Sequence, residues 1–102
     1  MKYFMLIEID IHDTAWVKDY LTTVTAMVER YGGTYHSRTP KIELLEGTRS
    51  FPQIMALVEW PSQDTARAFY DSEEYRPFRE ARKAGTTTSI TLMAAEDMNK
   101  RN

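Results

Sequence analysis

The first strand-length run of the chain is apolar on both of its sides. Successive side chains of a strand point to opposite faces, so within residues 2–11 Tyr3, Met5, Ile7 and Ile9 fall on one side and Phe4 and Leu6 on the other. Residues 51–60 repeat the pattern, with Phe51, Met55 and Leu57 on one side and Ile54, Ala56, Val58 and Trp60 on the opposite side. A sheet with one face in water alternates apolar and polar residues, and these two segments do not. The chain has only 102 residues, one domain's worth. With no cysteine, no disulfide can compensate for a thin core. The composition, 42% hydrophobic with four Gly and four Pro, supports a packed core rather than disorder. Both faces of the sheet therefore need a cover.

The rest of the chain supplies a cover for one face. After strand 2–11, Asp13 is placed to accept from N–H groups of a first helical turn, and Val17, Tyr20, Leu21, Val24, Met27, Val28 and Tyr31 recur at helical spacing up to Gly32-Gly33. Residues 34–46 suit a strand in which Pro40 marks an edge or a bulge, and 47–50 form the turn into the strand 51–60. Ser62 is a helix cap; Ala66, Phe69 and Tyr70 face inward from that helix, which stops near Ser72. A short second segment with Pro77, Phe78 and Ala81 follows, closed by Gly85, and residues 86–95 are the last strand. The order βαββαβ is an α+β, ferredoxin-like arrangement: one antiparallel sheet over residues 1–96, both helical segments on one face, and a polar tail at 97–102. Two helices cover one face only, so the other face is expected to meet a second copy of the chain in a homodimer.

Charge and motifs exclude several functions. Thirteen basic against fifteen acidic residues leave a net charge of −2, without the basic excess of a nucleic-acid surface. The apolar run Phe4–Ile7 is too short for a signal-peptide core or a membrane span, and the expected location is the cytoplasm. There is no glycine-rich phosphate loop and no G-x-S-x-G, and His12 and His36 fit no zinc spacing. Neither a cofactor nor a metal is called for.

The stretches Tyr31-Gly32-Gly33, Arg38, Leu45-Glu46-Gly47 and Val58-Glu59-Trp60-Pro61-Ser62, the run Ala66 to Tyr75 ending in Phe-Tyr-Asp-Ser-Glu-Glu-Tyr, and Arg82 together resemble the family catalogued as domain of unknown function 1330. The resemblance covers nearly the whole chain and implies a dimeric α+β barrel. Cofactor-free monooxygenases, lactone isomerases and decarboxylases share that architecture, so a small acidic or carbonyl-containing ligand and cofactor-free chemistry are what it implies. The alternative is a non-enzymatic module whose role is association itself.

Several residues could carry such chemistry. A turn pairing Glu46 with Phe51 sets Arg38 opposite Glu59 on one face. Arg38 is then an anion-binding or polarising guanidinium oriented by Glu59, or one half of a structural ion pair. His36, two residues away, is the candidate general base, or a solvent-facing edge histidine. Tyr70, Ser72 and Tyr75 stand where the second helix breaks; with Trp60 they form the candidate ligand-binding wall, or else act as a cap and core residues. Arg82 joins them because it falls on a position of the family pattern and on the side of Phe78. Glu8, Asp10 and His12 alternate on one side of a strand but read as a solvated exit loop.

Overall fold

The computed structural model describes residues 1–50 and 52–99. In chain order the elements are β1 (Tyr3–Ile11), α1 (Val17–Arg30), β2 (Thr34–Thr39), β3 (Ile54–Trp60), α2 (Gln63–Tyr70), α3 (Arg76–Gly85) and β4 (Thr86–Ala94). The four strands form one antiparallel sheet in the order β2-β3-β1-β4. The expected α+β class, with the second helix split in two, is what the chain adopts. Phe51 and the last three residues of the polar tail lie outside the described residues.

The inner face is built from the odd residues of β1 and the even residues of β3 and β4. Met5 stands opposite Val58 and Leu92, and Ile7 opposite Ala56 and Ile90. Val24, Met27 and Val28 from α1 and Ala66 and Phe69 from α2 close over Met5, Val58 and Trp60. Phe69 is the hub of the aromatic packing, stacked on Trp60 at 5.4 Å between centroids and tilted against Tyr75 at 4.4 Å. The outer face carries Phe4, Leu6, Leu57 and Met93, with Leu6 directly opposite Leu57 and Phe4 opposite Met93. Met93 is 60% exposed and Leu6 36%.

The ends of the helices follow from local chemistry. Gly32 adopts φ 100°, and the N–H groups of Gly32 and Gly33 donate to the carbonyls of Glu29 and Val28 at 3.0 and 2.9 Å. This left-handed closure satisfies carbonyls that the helix leaves free. Gly33 is small for a second reason. A Cβ there would sit 2.6 Å from Val28 Cγ1 and 3.0 Å from Trp60 Cη2, so Gly33→Ala is expected to cost about 1–3 kcal/mol by overpacking, read as a lower midpoint in urea. Ser62 caps α2 in a reciprocal box with Thr65.

Two expectations are corrected. Asp13 does not cap α1, which starts at Val17; its carboxylate accepts from Ala15 N–H at 2.9 Å in the preceding turn. The second strand ends at Thr39 instead of running to Glu46, and the connection to β3 spans residues 40–53 rather than the turn 47–50. Pro40 has no N–H to give a ladder, and Lys41 N–H donates to Thr39 Oγ1 at 3.0 Å, turning the chain away. The returning limb is tied to β1: Arg49 pairs with Glu8, Gln53 N–H donates to Asp10 Oδ1 at 2.9 Å, and Ile11 N–H donates to Gln53 Oε1 at 2.9 Å.

Candidate functional site

Arg38, Glu59 and His36 are not one constellation. The ladder between β2 and β3 shifts between Tyr35 and Ser37, so that Thr34 faces Glu59 and Arg38 faces Ala56. The bulge adds one residue to β2, and the expected Arg38–Glu59 register is overturned by it. Arg38 turns to the helical side instead, its guanidinium lying 3.8 Å over the Tyr35 ring and donating to Thr25 Oγ1 at 2.8 Å. Burial raises the Tyr35 hydroxyl above its ordinary pKa, and Arg38 partly offsets this.

His36 and Glu59 share the outer face. Glu59 receives Lys2 Nζ at 3.3 Å and His36 Nε2 at 3.2 Å, and Phe4 meets the imidazole edge-on at 6.4 Å. The hydrogen bond from Lys2, then that from His36, hold the Glu59 carboxyl below its ordinary pKa of 4.5. A depressed native pKa contributes stability above the unfolded pKa and loses it as pH falls through the native one. Glu59→Gln should therefore remove a small part of the acid-side loss of stability, below about pH 4.5, in a titration followed by circular dichroism.

The other candidates converge. Between α2, α3 and the β4 side of the sheet lies a cavity of about 560 Å³, within the range of small-molecule sites. It arises because the inward residues of β4 change from Leu92 and Ile90 to the smaller Thr88 and Thr86, leaving space beneath the helices. Met5, Ile90 and Leu92 make one wall; Arg67, Tyr70 and Asp71 stand at the end of α2, and Arg82 and Lys83 at the end of α3. Arg67 Nε is paired with Asp71 at 3.3 Å.

Arg82 is the unusual member. It is 2% exposed, the one buried charged side chain among the described residues. Its place in the last turn of α3 sets it near the negative end of that helix, which favours a cation. Among the described residues its guanidinium makes one hydrogen bond, from Nε to Tyr75 Oη, long at 3.4 Å, and Nη2 has no partner. Among the described residues no carboxylate lies within ion-pair distance. Burial opposes the charge and the Tyr75 hydroxyl bonded to Nε favours it, and a guanidinium stays protonated in such a site. Tyr75 Oη in turn meets Tyr20 Oη at 2.5 Å. Burial, and then Tyr75, push the Tyr20 hydroxyl far above its ordinary pKa, so Tyr20 supplies no phenolate to neutralise Arg82.

Of the expected ligand-binding residues, then, Tyr70 and Arg82 line the cavity. Tyr75 is 1% exposed and meets Arg82 from the core, and Trp60 is core. Ser72 joins α2 to α3: its hydroxyl donates to Phe69 O at 2.8 Å and accepts from Tyr75 N–H at 3.1 Å. Glu8, Asp10 and His12 each have another partner, His12 Nε2 lying 2.7 Å from Thr87 Oγ1. The sequence reading missed Tyr20, Lys83, Thr86 and Thr88. The period of two in Thr86, Thr88, Ile90 and Leu92 was the available signal, since it puts hydroxyl and apolar groups on one face.

The model of the family described as domain of unknown function (DUF1330) matches residues 2–95. The chain belongs to this family. No curated protein matches it. The fold is similar to that of the methylated RPA0582 protein, with a TM-score of 0.77 at 15% identity, covering 97% of this chain and 84% of that one. A second structure of RPA0582, a protein of unknown function from Rhodopseudomonas palustris, gives 0.76 at 16% identity over 94% and 83%. SnoaB, a cofactor-independent oxygenase from Streptomyces nogalater, gives 0.66 at 17% identity, covering 98% of each chain. At these identities the likeness is one of fold. Among the described residues no helix is long and apolar enough to cross a membrane.

Proposed function

We propose that the protein binds a small organic acid in the cavity between the sheet and α2–α3, with Arg82 as the anion-binding group. The observation that carries this reading is a buried guanidinium on a cavity wall with no carboxylate among the described residues within ion-pair distance, Asp71 on the same wall being paired with Arg67. A charge removed from water and left unpaired is costly, and a ligand carboxylate or enolate supplies the missing counterion. The same guanidinium stabilises negative charge that develops on a carbonyl oxygen, which suits cofactor-free chemistry. The fold shared with SnoaB, a cofactor-independent oxygenase, supports that part of the reading. The protein works as a homodimer in the cytoplasm, formed through the outer sheet face, where Leu6, Leu57 and Met93 make an apolar centre.

The test is thermal unfolding with a panel of small carboxylates and their amides. Carboxylates at concentrations well above Kd should raise Tm by the ordinary linkage of binding to folding, and the amides should leave it unchanged. Protection by neither series, or by both equally, overturns the reading.

A further inference from the structure

We infer that the ligand is a hydroxy acid, with its carboxylate on Arg82 and a hydroxyl that donates to Thr88; this rests on the reading of the cavity as an acid-binding site. The inference follows from counting protons. Thr86 Oγ1 lies 2.7 Å from the carbonyl oxygen of Arg82, and a carbonyl only accepts, so the single hydroxyl proton of Thr86 is spent there. Thr86 Oγ1 also lies 2.6 Å from Thr88 Oγ1. With the Thr86 proton committed, Thr88 must be the donor in that contact, and its own proton is spent as well. Thr88 is left with acceptor capacity alone.

The cavity is therefore polarised. Arg82 and Lys83 are donors without acceptor capacity, standing at the end of α3. Thr88 on β4 offers an oxygen that only accepts, and Met5, Ile90 and Leu92 form an apolar wall. A ligand that satisfies all three has an anionic group, an apolar body and a separate hydrogen-bond donor. Inorganic phosphate lacks the apolar body, and a dicarboxylate would bring a second acceptor to an oxygen that can only accept.

The experiment is calorimetric titration of the wild-type protein with phenylacetate, its three monohydroxy isomers and their methyl ethers. At least one hydroxy isomer should bind about five- to tenfold more tightly than phenylacetate, the effect of one hydrogen bond, and its methyl ether should lose that gain. Thr88→Val keeps the side-chain shape and should abolish the gain, while Thr88→Ser should retain it. If acids bind but no hydroxy isomer gains, or if the gain survives in Thr88→Val, the hydroxy-acid inference is wrong and the acid site stands. If none of the acids binds, both fail.

Discussion

Replacing Arg82 with methionine is expected to stabilise the protein and to abolish acid binding. The guanidinium is buried, and among the described residues its one hydrogen bond is long and Nη2 has none. Exchanging buried charge for an apolar side chain of similar length is often stabilising, here by about 1–2 kcal/mol, which raises Tm by several degrees in a domain of this size. The same exchange removes the one buried positive group among the described residues on the cavity wall, and the affinity for carboxylates should fall about a hundredfold or more, as when one side of a buried charged contact is deleted. The two readouts move in opposite directions, as expected where stability is given up for a site. A purely structural role for Arg82 predicts a lower Tm. Urea unfolding and titration with phenylacetate, on both proteins, check the pair of outcomes.

The second large effect concerns the outer face. Leu57 and Leu6 are direct partners at its centre, and Leu6 and Met93 beside them are 36% and 60% exposed. Leu57→Arg should leave the far-ultraviolet circular dichroism unchanged, because the side chain points away from the helical layer. It should weaken self-association about a hundredfold or more, since two copies would bury unpaired cations against each other. In sedimentation equilibrium at micromolar concentration the wild type should show twice the 11.9 kDa chain mass and the variant the single mass. A wild-type monomer contradicts the homodimer, and a variant that stays dimeric moves the interface elsewhere.

The strands and helices were legible in the sequence because their signals are local. The two-sided apolar runs of β1 and β3, the Gly32-Gly33 closure and the Ser62 cap are each specified by a few adjacent residues. The Arg38 register was not legible. It depends on a bulge near His36, and a one-residue slip sends a side chain to the other face. Once β2 bulged and stopped at Pro40, Arg38 left Glu59 for Thr25 and Tyr35, and His36 took its place beside Glu59. The cavity was half legible. Tyr70 and Arg82 were within reach because they lie near the break between α2 and α3. Tyr20 and Thr88 were not, because they come from α1 and β4 and meet the arginine's surroundings only when the chain folds. Nor does composition distinguish Arg82 from its exposed neighbours Arg76 and Lys83. The difference is burial, which the fold imposes on Arg82 and not on those two neighbours.

The most direct test is the Arg82 guanidinium itself, observed as its Nε–Hε resonance in a nitrogen-15 correlation spectrum while phenylacetate is added. That resonance should shift saturably with the same midpoint as the calorimetric titration, and should stay in place with phenylacetamide. Saturable binding of phenylacetate with the Arg82 resonance unmoved would contradict Arg82 as the anion-binding group.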